Sequence, residues 1–84
     1  MEEKEVGVVS DYFARIGVVA IEVTGEINVG DTLHFTGHTT DFTQVVESMQ
    51  VEHEQVMKAK KGDSIGIKVT DRVRKHDKVY RVIE

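Results

Sequence analysis

Apolar and polar residues alternate along most of the chain. Ile65, Ile67 and Val69 are spaced by Gly66 and Lys68, and Leu33 and Phe35 stand between Thr32, His34 and Thr36. Val19, Ile21 and Val23 form one set, with Val18, Ala20 and Glu22 opposite. A period of two marks strands, whose successive side chains point to opposite faces. The pattern predicts a first strand at Val6–Tyr12, a last at Lys78–Ile83, and others around 18–23, 32–36, 45–51 and 64–69. β-branched residues crowd these segments, as a pleated surface favours. Val45, Met49 and Val51 share a parity that Glu47 interrupts, the mark of a bulge.

Polar turns separate these runs: Thr24-Gly25-Glu26, Asn28-Val29-Gly30-Asp31, Gly37–Asp41 and Lys61-Gly62-Asp63-Ser64. Asp31 and Asp63 each follow a glycine, where a carboxylate orients a turn through hydrogen bonds to backbone. Gly25, Gly30, Asp31, Gly62, Asp63 and Gly66 are therefore read as structural, giving turns or close packing. One helical turn is expected at Glu52–Ala59, with Val56 and Ala59 inward. No internal repeat is evident. The predicted fold is all-β, a small six-stranded antiparallel β-barrel, since closure removes exposed sheet edges. Residues 1–5 read as an acidic N-terminal tail and 6–84 as a single domain.

Composition narrows the function. Eighty-four residues make one small domain with a thin stability margin and little material for a deep cleft. There is no cysteine, hence no disulfide and no thiolate metal site. No apolar run reaches the ~18 residues of a membrane span, and the acidic start is not a signal peptide, so a cytoplasmic protein is the default.

Catalytic signatures are missing. No G-x-S-x-G, G-x-x-x-x-G-K-[ST] or G-x-G-x-x-G occurs, which argues against a serine hydrolase or nucleotide binding. His34, His38, His53 and His76 lack the spacing of three or four convergent ligands and read as surface histidines. Neither metal nor cofactor is expected. Tyr12, Phe13, Phe35, Phe42 and Tyr80 are the only aromatics; Tyr12 and Tyr80 meet if the first and last strands pair, as a stacking platform or as core.

Charge is unevenly distributed. Residues 1–57 hold Lys4 and Arg15 against eleven carboxylates, whereas residues 58–81 hold nine basic residues against Asp63, Asp71 and Asp77. A basic stripe on an acidic protein still steers anionic partners. The plainer reading is that these side chains solubilise exposed strands.

Two glycine turns in order, Thr24-Gly25-Glu26-Ile27-Asn28-Val29-Gly30-Asp31 and Ala59-Lys60-Lys61-Gly62-Asp63-Ser64-Ile65-Gly66, resemble the second domain of translational GTPases such as elongation factor Tu. Gly37–Phe42, Ser48-Met49-Gln50 and Val73-Arg74-Lys75-His76-Asp77-Lys78-Val79-Tyr80 resemble small stand-alone translation elongation factor-like proteins. They are also similar to the C-terminal barrel of collagenase-like peptidases, some of which act in RNA modification. The resemblance implies a barrel of the translation-factor second-domain type without the GTPase or peptidase domain. It implies a non-catalytic binding module that contacts RNA, either tRNA or ribosomal, and it places the related aminoacyl-end contacts near Gln50–His53. Lys58, Lys60, Lys61, Arg72, Arg74, Lys75 and Lys78 are the candidate phosphate contacts, with Gln50, His53 or Tyr80 adding base or sugar contacts. The alternative is a protein–protein adaptor docking on a peptidase-like or translation-factor partner.

Overall fold

The computed structural model of the chain describes residues 2–83. All of its regular structure is strand: β1 Glu2–Phe13, β2 Val18–Val23, β3 Glu26–Asn28, β4 Thr32–Thr36, β5 Asp41–Val45, β6 Met49–Val51, β7 Glu54–Val56, β8 Lys58–Lys60, β9 Ser64–Lys68 and β10 Lys78–Ile83. Eight strands form one antiparallel sheet in the order β5-β4-β10-β1-β2-β9-β6-β7, and β3 pairs with β8 as a separate ribbon. No helix among the described residues is long and apolar enough to cross a membrane.

The alternation places the core. Val19, Ile21 and Val23 of β2, Leu33 and Phe35 of β4, and Ile65 and Ile67 of β9 are buried on the inner face, with Val79 from β10. Ile27 and Ala59 of the β3–β8 ribbon are buried with them, so the ribbon covers part of the same core. Phe35 stacks on half-buried Phe42 across the β4–β5 pair, with ring centroids 5.0 Å apart. β1 serves both β10 and β2, and its register shifts between Glu5 and Gly7 on one side and between Val9 and Asp11 on the other. Such bulges bend a strand and increase its twist, which lets one long strand curl with the sheet.

The structure corrects several expectations. There are ten strands rather than six, because β3, β7 and β8 are each only three residues long, and the segment around 45–51 breaks at Val46–Ser48 into the end of β5 and β6. The sheet is not closed into a barrel. The amide of Val69 donates to the Gly17 carbonyl, 2.9 Å, while the Lys68 carbonyl and the Thr70 amide face β5 without pairing to its backbone. Among the described residues, the hydrogen bonds across that seam all come from one side chain. Gln44 of β5 donates to the Lys68 carbonyl at 2.8 Å and accepts from the Thr70 amide at 2.9 Å. The expected helical turn is instead a hairpin, with Val51 opposite Glu54, followed by β8. Residues 2–5 pair with β10, Glu2 opposite Ile83 and Glu5 opposite Tyr80, so the first strand starts ahead of Val6. Tyr12 lies opposite Val19 at the far end of β1 from Tyr80, and the two tyrosines do not form a platform.

Candidate binding groove

Three turns share one construction, a local repeat not evident in the sequence. In Asn28–Asp31, Lys60–Asp63 and Arg74–Asp77 the first residue's amide donates to the aspartate carboxylate, at 2.8, 3.0 and 2.9 Å. The aspartate amide donates back to the first carbonyl, at 3.0, 3.0 and 3.1 Å. The third residue is left-handed in each, Gly30 at φ 98°, Gly62 at 97° and His76 at 75°. Each turn also docks on one buried valine. The third residue's amide donates to the carbonyl of Val46, Val23 or Val9, and that valine's amide donates to the aspartate carbonyl. Gly30, Asp31, Gly62 and Asp63 are thus turn residues. Gly25 is different: a Cβ there would lie 3.3 Å from Val6 and from the Glu5 carbonyl, so it permits close packing. Gly66 lies within β9 rather than at a turn.

The turns also place the basic residues. Lys60 and Lys61, and Arg74 and Lys75, are the exposed first and second residues of two of them. Lys58 on β8 pairs with Glu26 of β3 at 3.7 Å, and Lys78 on β10 lies 3.9 Å from Glu5. The Glu26 carboxyl is held below the usual range by the Asn28 side-chain amide and then by the Lys58 ammonium. Asp63, Val23 and Gly7 join the Lys60–Asp63 turn to β1, with β10 and Lys78 beyond it. The two basic turns therefore dock on the outer sides of the adjacent strands β2 and β1, at Val23 and Val9. Arg72 and Arg74 line a polar recess of about 260 Å³ with Thr39, Asp41 and Asp71. Tyr80 is half-buried in β10, between Glu5 of β1 and His34 of β4.

Gln50, His53 and Gly66 meet in a different place. They line an open, mainly apolar groove of about 440 Å³ on the outer face of β9 and β2, with Phe13, Ile16, Val18, Ala20 and Glu52. Its floor follows from register: Gly66 is opposite both Ala20 and Gln50. One wall is Phe13 and Ile16, which are 47% and 61% exposed. The other is the β6–β7 turn, where Glu52 and His53 have φ of 51° and 67°. Two consecutive left-handed residues match the tight turn that suits hairpin twist, but at non-glycine positions each costs about 1–2 kcal/mol. The sequence reading missed Phe13, Ile16, Val18 and Ala20. The available signal was that β2 is apolar on both faces, since Val18 and Ala20 alternate with Val19 and Ile21.

His34 is not a simple surface histidine. Its Nδ1 lies 2.9 Å from both Glu3 carboxylate oxygens and its Nε2 lies 2.5 Å from Asp41 Oδ1. The hydrogen bond to Asp41, and then the one to Glu3, push the imidazole pKa up from its ordinary value. The arrangement clips β4 to β1 and to edge strand β5. Among the described residues no group of three or more histidine, aspartate or glutamate side chains could hold a metal ion.

No family model matches the sequence. Over 81 residues, 95% of its length, the chain is 38% identical to an uncharacterized protease of Methanocaldococcus jannaschii. Over 72 residues, 83% of its length, it is 44% identical to a collagenase of Porphyromonas gingivalis. The chain spans about a fifth of the length of each of these relatives, 20% in both cases. Among solved structures, the C-terminal domain of a candidate U32 peptidase of Geobacillus thermoleovorans superposes with a TM-score of 0.88. That match covers 93% of this chain and 91% of that one at 21% identity. The selenomethionine variant of the same domain gives 0.86 over 90% of this chain and 96% of that one, at 22% identity. The chain therefore shares the fold of that C-terminal domain. These comparisons support the peptidase-like side of the sequence resemblance and not the elongation-factor side.

Proposed function

We propose that this domain is a non-catalytic docking module that binds a peptidase-like protein through the groove beside Phe13 and Ile16. The observation that carries this reading is the apolar groove itself. Two large side chains are left open to water on a chain whose other large apolar residues mostly pack inward. Exposed apolar surface gathered into a concavity, unlike scattered single residues, is where a partner gains most from burial. The relatives supply the class of partner: each is named as a protease or collagenase, and the matching segment is a fifth of its length. On this reading the domain acts by holding a peptidase-like chain, in the cytoplasm.

The test is affinity capture from cell extract with the intact chain and with a Phe13→Ser, Ile16→Ser variant, both exposed positions. A collagenase-like protein retained by the first and lost by the second is the expected result. Equal retention of the same proteins by both would overturn the proposal.

A second reading, RNA contact, is favoured by the Arg72–Lys75 loop. Among the described residues the charged side-chain groups of Arg72, Arg74 and Lys75 have no carboxylate within 4.0 Å. Anisotropy with tRNA at about 50 and 200 mM salt separates the two readings, because single-strand phosphate contacts lose affinity with a slope of about −0.7 per contact.

A further inference from the structure

We propose that the groove receives an extended peptide segment carrying one bulky apolar side chain with a lysine or arginine beside it. This rests on the docking reading above and names the chemistry of the docked part.

The floor is shaped to admit a side chain. A Cβ at Gly66 would meet only Val18 Cγ1, at 3.7 Å, an ordinary contact. The fold does not require glycine there, and the missing side chain deepens the groove at its middle. Ala20 continues the shallow floor on β2, opposite Gly66. Phe13 and Ile16 then stand as one apolar wall. The left-handed residues Glu52 and His53 hold the other wall at a fixed angle.

Charge chooses among occupants. Glu52 lines the groove, and Glu22 stands opposite Ser64, which lines the same end. Among the described residues neither carboxylate has a basic side chain within 4.0 Å. At the other end Lys68 lies opposite Val18, and Arg15 precedes Ile16 in the turn. The groove thus has an acidic end, an apolar middle and a basic end. A polyanion that runs the length of the groove meets Glu22 and Glu52 at its acidic end, so a nucleic-acid strand is disfavoured. An apolar residue flanked by a cation satisfies the middle and the acidic end together, and the basic end fixes the direction of the segment. Burying such a residue in a preformed pocket supplies most of the binding energy, and the charges set specificity.

The experiment is selection of a random peptide phage library against the whole immobilised chain. Four proteins are compared: wild type, Phe13→Ser, Gly66→Leu, and Glu22→Lys with Glu52→Lys. The expected consensus on wild type is Phe, Leu, Ile or Met adjacent to Lys or Arg. Gly66→Leu fills the floor and should cut recovery about tenfold or more, as should Phe13→Ser. The double lysine variant keeps the apolar preference and turns the flanking preference to Asp or Glu. Backbone amide shifts on adding the consensus peptide should map to Ala20, Gly66 and His53. An acidic or purely polar consensus on wild type, shifts confined to the Arg72–Lys75 loop, or a dimer of the free chain that buries Phe13 would each overturn it. Absence of any consensus overturns it too. If affinity capture still retains a protease-like protein in that case, docking stands and only the groove chemistry falls; if both fail, docking falls with it.

Discussion

The turns at Lys60–Asp63 and Arg74–Asp77 make the same pair of internal hydrogen bonds and the same pair to a buried valine. They differ at two positions, Lys60 against Arg74 and Gly62 against His76, and the second difference falls on the left-handed residue. They differ also in surroundings. Nothing lies within 4 Å of where a Cβ on Gly62 would be, whereas Asp77 is buried, 6% exposed, and its carboxylate packs against Gly37. The aspartate is therefore the common requirement, and the glycine is a convenience. A turn braced by a buried carboxylate can hold a histidine in the left-handed region; an open turn gains from avoiding that strain. The V-R-x-x-D-x-V-Y ending acquires a structural meaning from this. Val73, Asp77 and Val79 point inward, and Arg74 opens the turn.

The sharpest way to break the comparison is Gly37→Ala. A new Cβ falls within the Asp77 carboxylate, which the Arg74 amide already holds, so the second turn must shift. We expect a loss of about 3 kcal/mol in urea unfolding, the upper range for overpacking. Next, Asp77→Ala strands a part-buried amide and should cost about 2 kcal/mol, against about 1 kcal/mol for Asp63→Ala at the open turn. Equal losses would remove the distinction between braced and open turns. Exchanging the third residues should act in opposite directions. Gly62→Ala loses about 1 kcal/mol from its left-handed backbone, and His76→Gly gains about 0.5 kcal/mol.

The smallest effect depends on pH. His34 contacts Asp41, which begins β5 immediately after the Gly37–Thr40 turn that faces Asp77. Its pKa is raised on folding, so its stabilisation is complete below the ordinary value of 6.5 and is lost as pH rises through the raised value. Because Asp41 is largely exposed, with a side-chain accessibility of 82%, the loss should stay below about 1 kcal/mol. Amide exchange, after correction for its intrinsic pH dependence, should quicken around residues 37–45 and not at the Lys60–Asp63 turn. His34→Gln should flatten that response.

Alternation predicted the long strands correctly because their inner rows are uninterrupted, as in Val19, Ile21 and Val23 or Ile65 and Ile67. Strands of three residues leave no room for a period to repeat, so β3, β7 and β8 were not visible. At 52–59 the three-residue spacing of Val56 and Ala59 imitated a helix. The chain instead spends Glu52 and His53 on a left-handed turn, a choice that neither residue type announces. Gly30 and Gly62 advertised their turns, but His76 concealed the third. Gln50 and His53 were found through resemblance, while their neighbours Phe13 and Ile16 come from the opposite side of the groove. The registers of β9 with β2 on one side and with β6 on the other bring the two sets together.

The Gln44 stitch has a mechanical consequence. A roll whose seam is fastened by one amide can part there without breaking any strand ladder. A few side-chain hydrogen bonds of roughly 1 kcal/mol each are what hold it. Breathing should therefore begin at β5, well below the free energy of global unfolding. Each opening bares a strand edge, with exposed Val45 at its end, that another chain can pair with. Replacing Gln44 would convert a brief event into a lasting one and favour strand exchange and fibre growth.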